Sequence, residues 1–332
     1  MLSIQEIASR AGVTTELALD ILRFQASPRI PAEERKRILE IANDLRYPID
    51  PIVETKGNLS FALVHWYTEA QELDDPYYLS IRLGVERRCR EEGIELNCFF
   101  RGGREIEELA QVDGIIAIGK FSPEQVWRLQ AVTENVVFVD TSPDERKFDS
   151  VVVDFLSATE SALQYLWDEG HRRIAYIGGR EFVGSQNLAV GEKRELVYAS
   201  FMQQKGVFHR EDLYLGSFLM ESGYQLMNEA LSKETIPTAF FVASDSMAFG
   251  ALRAAQERNF KVPEDISILS FNDIVAAEFS DPPLTTVRIH KQRMGEVAVG
   301  MAMERLRTSY FVPRKVSVSS KLIVRDSVCK TK

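Results

Sequence analysis

Cysteine is scarce in this 332-residue chain, and no apolar run reaches the roughly eighteen residues that a membrane-spanning helix needs. The three cysteines, Cys89, Cys98 and Cys329, are odd in number and fall at no ligand or redox spacing. A reduced thiol set is therefore expected, not a disulfide scaffold or a zinc site. Residues 1–6 carry no basic region, apolar stretch or small-residue cleavage site, so no signal peptide and a cytoplasmic location are expected. Enzyme signatures are missing too. There is no Gly-x-Ser-x-Gly elbow or phosphate loop, and Gly178-Gly179 stands without the rest of a dinucleotide fingerprint. Paired carboxylates occur, but a glycosidase needs them opposed across a substrate. No catalytic residue, metal ligand or cofactor is expected. Basic excess is also lacking: the formal net charge of −9 excludes non-specific coating of nucleic acid while leaving room for a small DNA-reading head on an acidic body.

What is present is an ordinary globular composition, 45% hydrophobic and 27% charged, in a chain long enough for two or three domains. Ser3 and Glu6 have capping-box spacing, and Ile4, Ile7, Ala8 and Ala11 share one helical face behind them. Gly12 supplies the positive φ of a tight turn, Val13 plugs it, and Thr14 or Thr15 caps a second helix in which Ala18, Ile21 and Leu22 repeat. This spacing predicts a helix-turn-helix. Pro31 opens a third helix with Ile38, Leu39, Ile41, Ala42 and Leu45 on its apolar face, ending near Tyr47-Pro48.

The segments Ser-Ile-Gln-Glu-Ile-Ala-Ser-Arg-Ala-Gly-Val-Thr (3–14) and Arg-Ile-Leu-Glu-Ile-Ala-Asn-Asp-Leu-Arg-Tyr (37–47) resemble the head of the lactose/galactose-repressor family. The resemblance implies operator DNA as partner, with the second helix in the major groove and contacts from Ser3, Thr14, Thr15, Glu16, Leu17, Leu19, Asp20 and Arg23. Two departures stand out. Leu17-Ala-Leu-Asp20 occupies the place of the family's Thr-Val-Ser-Arg, and residues 1–56 hold eight Lys/Arg against nine Asp/Glu. Acidic groups oppose the phosphate contacts that supply much of DNA affinity. The hinge also lacks the family's Ala-Arg-Ser-Leu, whose leucine wedges into the minor groove. Either the operator is atypical, or the head acts weakly or through another partner.

From Leu59 short apolar runs alternate with amphipathic helices. Strands are expected at Phe61–Trp66, Ile94–Phe99, Gly114–Ile118, Val136–Val139, Ile174–Gly179, Phe240–Ser244 and Ile266–Phe271, and helices at Tyr77–Glu91 and Ala158–Glu169. The pattern runs twice, which predicts two α/β lobes with a ligand in the cleft between them. Asp-Pro-Tyr-Tyr (75–78), Gly-His-Arg-Arg-Ile-Ala-Tyr-Ile-Gly-Gly (170–179), Ala-Ser-Asp-Ser-Met-Ala-Phe-Gly (243–250), Val-Pro-Glu-Asp-Ile-Ser (262–267) and Pro-Pro-Leu-Thr-Thr-Val-Arg (282–288) are similar to the periplasmic-binding-protein-like core of the same family. The expected architecture is thus α/β, with a small all-α head (1–46), a hinge (47–58) and a two-lobed body with parallel sheets (59–332). Lobe 1 is expected at about 59–157 and 289–316, and lobe 2 at about 158–285 and 317–328. The resemblance implies a homodimer without the tetramerising tail of some members, and segments 72–86 and 284–290 look like those of galactoside-responsive members.

A pyranose presents a ring of hydroxyls and one or two apolar faces, so its site needs carboxylates, amides, a guanidinium fork and an aromatic plate just beyond the strand ends. Asp140 closes a strand where the family places an effector-binding Asp. Arg194 leads a segment matching the family's Arg-x-x-Gly-Phe, with Val197 in place of the Gly, and Asn272 stands where an effector-binding Asp is usual. Ser244 and Asp245 follow a strand; Asp245 suits a sugar contact or a helix cap equally. Trp66 or Tyr67 leaves the first strand toward the cleft, and Tyr77 starts the next helix. The expected effector set is Trp66, Tyr77, Asp140, Arg194, Ser244, Asp245 and Asn272. His290 is expected to be a solvated histidine.

Overall fold

The computed structural model describes residues 4–24, 37–38, 40–42, 44–45, 59–74, 76–103, 112–184, 186–307 and 312–331. The chain divides into two compact units, Met1–Lys56 with Arg305–Phe311, and Gly57–Glu304 with Val312–Lys332.

In the first unit, helices Ile4–Ala11 and Thr15–Phe24 are joined at Gly12, whose φ of +67° is the left-handed turn expected there. Thr14 caps the second helix, its Oγ1 accepting the Leu17 N–H at 3.2 Å. Ile7, Ala11, Ile21, Ile38 and Ala42 form the buried core, and the Arg37 guanidinium donates to the Ala11 carbonyl at the end of the first helix. Residues 37–38 and 40–42 are helical. Ser3 of the expected capping box, Pro31 and the hinge at 47–58 lie outside the described residues.

The second unit holds two six-stranded sheets. The first has the order β13-β5-β4-β3-β1-β2 and is wholly parallel. Its strands are β1 Ser60–His65, β2 Glu95–Phe100, β3 Gly114–Ile118, β4 Val136–Val139, β5 Asp149–Val153 and β13 Lys315–Val318. The second has the order β14-β12-β11-β10-β6-β9 and is parallel except for the antiparallel edge pair β12–β14. It comprises β6 Ile174–Gly179, β9 Leu213–Gly216, β10 Ala239–Val242, β11 Ser267–Asn272, β12 Thr285–Ile289 and β14 Ser320–Ile323. A small hairpin, β7 Glu181–Val183 and β8 Leu188–Val190, projects after β6. The central strands β3, β4 and β10 are buried along their whole length, which is why they read as unbroken apolar runs.

The chain passes between the sheets three times: between β5 and β6, between β12 and β13, and between β13 and β14. β12 belongs to the second sheet through Ile289, a few residues beyond the boundary expected at 285. Helix Lys291–Arg307 then packs on helix Pro76–Glu92 of the first lobe, close enough that a Cβ on Gly84 would lie 2.1 Å from the Gln292 carbonyl oxygen. In the second lobe helices Met220–Leu231 and Asp245–Glu257 cross as closely. A Cβ on Gly250 would sit 1.9 Å from the Met220 carbonyl oxygen, and one on Gly223 2.0 Å from that of Met247. Backbone cannot give way as a side chain can, so the crossing distance is set by hydrogen atoms at these positions.

Gly250→Ala is expected to destabilise the body by about 2 kcal/mol or more by overpacking. Gly300→Ala, with open space at its Cβ and an ordinary helical φ, should instead stabilise it by up to about 1 kcal/mol through helix propensity. Urea unfolding of the two variants checks both signs.

Candidate functional site

The C-terminal ends of the parallel strands of both sheets open on one cavity of about 210 Å³. Tyr67, Tyr77, Tyr78, Lys120 and Asp140 reach it from the first lobe; Phe155, Glu181, Glu192, Arg194, Phe218, Ser244 and Asn272 reach it from the second. Asp140 directly follows β4 and Asn272 ends β11, so each lobe offers one short polar side chain at a strand end. Both backbones are left-handed, at φ 73° and 109° respectively. Non-glycine residues hold that region at a cost of about 1–3 kcal/mol, which the surrounding packing must supply. Asp140 is pinned besides: the Tyr77 hydroxyl donates to its Oδ1 and the Tyr78 hydroxyl to its Oδ2, both at 2.8 Å.

Arg194 dominates the second-lobe wall. It lies in the first turn of helix Lys193–Gln204, and Glu192 is that helix's N-cap, accepting the Arg194 backbone N–H at 2.9 Å. The same carboxylate takes Nε at 2.6 Å and Nη2 at 2.9 Å in a two-point grip, while Nη1 donates to the Ala243 carbonyl. Phe155, Phe218 and Phe271 surround the guanidinium, with ring centroids 5.1 to 5.3 Å from its central carbon. Burial by itself disfavours both charges. The mutual attraction overrides it, holding Glu192 below the usual carboxylate range and Arg194 above the usual guanidinium range.

Two more ion pairs stand on the cavity wall. Lys120 pairs with Glu181 and Lys315 with Glu145, while Lys193 and Asp140 line the cavity as well. Burial would push the Lys120 ammonium down, but Glu181, Asp140 and Glu192 raise it. Four carboxylates and four cations therefore face the cavity, which suits an uncharged ligand rich in hydroxyls better than an anion. The tyrosine and phenylalanine faces complete the amphipathic lining that a sugar ring requires.

The periplasmic binding protein-like domain family matches residues 163–328. The chain is 35% identical to the HTH-type transcriptional repressor MelR of Bacillus subtilis (strain 168), over 98% of its own length and 97% of that protein's. It is 34% identical to the HTH-type transcriptional regulator GalR of Streptococcus thermophilus, over 98% and 99%. The chain belongs to the LacI/GalR family of transcriptional regulators. Among solved structures, the transcriptional regulator CelR–cellobiose complex matches with a TM-score of 0.70 at 25% identity, over 98% of this chain and 100% of that one. The lac repressor dimer bound to operator and the anti-inducer ONPF shares the fold, with a TM-score of 0.70 at 20% identity over 99% of each chain.

Of the effector residues expected for a LacI/GalR regulator, the structure gathers Tyr77, Asp140, Arg194, Ser244 and Asn272 on the cavity. Trp66 and Asp245 are not among its lining residues. Trp66 is buried beside it, stacked on Tyr67 with ring centroids 4.6 Å apart, and Tyr67 is the aromatic that reaches the main cavity. Asp245 is fully buried behind the wall, accepting the Ser270 and Thr286 hydroxyls at 2.5 and 2.7 Å and the Ile274 N–H at 2.7 Å. Burial raises its carboxyl to about 6 against the pull of these donors. The helix cap is Ser244, whose Oγ accepts the Met247 N–H at 3.2 Å. In the head, Thr14, Thr15 and Glu16 are exposed, whereas Leu17 is half-buried and packs on the core. Ser3 and the side chains of Leu19, Asp20 and Arg23 lie outside the described residues. His290 is exposed.

Sequence reasoning missed Lys120, Glu181, Glu192, Phe155, Phe218 and a buried cluster behind Tyr67. There His65 Nδ1 accepts the Tyr67 N–H at 3.0 Å, while Nε2 lies 3.4 Å from Glu72, which Arg82 grips from outside. Burial pushes His65 down to about 4, with Glu72 opposing.

Arg194→Met leaves the Glu192 carboxylate buried without its partner and is expected to cost about 3–5 kcal/mol in urea unfolding. Adding Glu192→Gln should recover most of that loss. For His65, the contribution to stability is complete above pH 6.5 and is lost as pH falls from 6.5 through about 4, because the unfolded chain takes the proton first. The wild type should lose about 3 kcal/mol more than His65→Gln over that window, measured as the difference between their stability–pH curves.

Proposed function

We propose that this chain is a transcription repressor whose helix-turn-helix head binds operator DNA under the control of a neutral sugar, a galactoside, held in the cleft of the body. The observation that carries the effector reading is the charge-balanced, hydroxyl-seeking lining contributed by both lobes, with aromatic faces across it. A sugar phosphate or purine nucleotide would instead call for unpaired cations. The galactoside assignment draws on segments 72–86 and 284–290 and agrees with relatives named GalR and LacR. Operator recognition draws on family membership and on the turn at Gly12 with its cap at Thr14. A homodimer presents two heads to a two-fold operator, since one head offers too few contacts for specific binding. Sugar between the lobes then favours one arrangement of them, and DNA affinity changes by the difference in sugar affinity between arrangements.

A second reading rests on the head's charge. Residues 1–56 carry one more acidic than basic residue, and Glu16 is exposed in the first turn of the second helix. On that reading the same body senses the sugar and the head acts on another partner. A gel shift with DNA from the chain's own promoter region separates the two: retarded DNA whose affinity falls steeply with salt favours the repressor.

Calorimetric titration with galactose, lactose, glucose and galactose 6-phosphate tests the effector. Galactose and lactose are expected to bind, and glucose at least tenfold more weakly. Asn272→Gly removes an amide from the cavity and also a strained left-handed side chain, so affinity should fall at least tenfold while unfolding stability stays within about 1 kcal/mol. Tight binding of the phosphorylated sugar alone would overturn the neutral-ligand reading.

A further inference from the structure

The turn that follows β11 is held from both lobes. Asn272 and Asp273 are both left-handed, at φ 109° and 48°, two consecutive non-glycine residues in a region that such residues seldom enter. Second-lobe groups hold this turn. Asp245 accepts the Ile274 N–H at 2.7 Å, and the Thr286 hydroxyl oxygen accepts the Asp273 N–H at 3.3 Å. Arg288 and Arg325 grip the two oxygens of the Asp273 carboxylate. A further hold comes from Lys291, the first residue of helix Lys291–Arg307, which packs on the first lobe. Its buried side chain donates to the Asn272 carbonyl and, at 3.4 Å, to that of Asp273. The same charge acts on the fully buried Asp245 carboxylate. Lys291 is not among the residues lining the cavity, whereas Asn272 is.

We propose that Lys291 is a positioning residue: it sets the Asn272 amide toward the cavity and ties that setting to the arrangement of the lobes. This rests on the proposed sugar control of operator binding. The register with β12, where Asn272 stands opposite Arg288, fixes the backbone on the N-terminal side of Asn272. The clasp on its carbonyl fixes the peptide plane on the other side, so the direction in which the side chain leaves is set between them. A charged donor holds a carbonyl more strongly than a neutral one, and a buried ammonium has nowhere else to place its charge cheaply. Lys291 also stands two residues past the end of β12 at Ile289, at a crossing between the lobes. Residues at element ends absorb the dihedral changes of such a motion. A shift of the first lobe turns the start of its helix and draws the ammonium toward or away from the turn. Sugar held by Asn272 then favours the lobe arrangement in which the clasp is made.

Lactose titrations of the full chain, with and without saturating DNA from its own promoter region, test this on the wild type, Lys291→Met, Asn272→Gly and the double variant. The ratio of the two lactose affinities should fall in Lys291→Met to about twofold or less, a loss that a merely structural lysine would not cause. Lys291→Met should weaken lactose about fivefold or more in the wild-type background and by less than about twofold where Asn272→Gly has already removed the amide. Lys291→Gln, which keeps a donor but shortens its reach, serves the same cycle if the methionine variant does not fold. A variant that keeps the wild-type ratio, or that weakens lactose equally in both Asn272 backgrounds, would overturn the positioning role and leave the sugar reading standing. A wild type that binds no lactose, or binds it equally with and without DNA, would defeat the proposed function and the positioning role with it.

Discussion

The buried pair of Arg194 and Glu192 is the interaction around which the cleft between the lobes is organised. Two charges removed from water repay their desolvation only when geometry is good and every remaining donor has a partner. Here the carboxylate grips the guanidinium at two points, the Ala243 carbonyl takes another donor, and three phenylalanine rings close off water. Because Glu192 also caps its helix, the pair fixes where helix Lys193–Gln204 starts. Because Ala243 lies between β10 and Ser244, it fixes that helix against the strand end as well. The positions of Ser244 and Phe218 on the cavity wall follow from that anchoring.

The first lobe reaches a comparable result by other means. Two tyrosine hydroxyls hold the two oxygens of Asp140, and the left-handed backbone turns it into the cleft. Asn272 adopts the same backbone region at the end of β11. Strain of this kind persists where the surroundings impose it, and its concentration at facing strand ends marks the place where the fold gives up stability for a site.

Much of this was legible in the sequence, and the reasons it was or was not are specific. Buried parallel strands such as Val136–Val139 announce themselves as unbroken apolar runs, whereas β13 and β14 are short and partly exposed and carry no such signal. β12 hides in Thr285-Thr286, whose hydroxyls are buried and bonded. Arg194 was visible through its motif. Glu192 was not, since a glutamate two residues before a helical arginine looks like surface charge until its burial is known. Lys120 and Glu181 come from a loop and a three-residue strand, where no periodicity points inward. The choice between Trp66 and Tyr67 turned on which way the chain leaves β1, and the backbone past His65 turns Tyr67 to the main cavity. Asp245 is the instructive case: a carboxylate at a strand end reads as a ligand contact, but two hydroxyls and one N–H from β11, β12 and the loop between them had already claimed it.

An allosteric repressor needs its ligand to prefer one arrangement of the lobes, and a site assembled from both lobes provides that preference by construction. If sugar controls operator binding as proposed, the linkage is reciprocal, and operator DNA changes sugar affinity by the same factor that sugar changes operator affinity. The most direct measurement is therefore the affinity of the full chain for lactose with and without saturating operator DNA, at fixed salt. The account predicts a difference of about 5- to 150-fold, matched by the change in operator affinity at saturating lactose. Identical lactose affinities in the two conditions would contradict it.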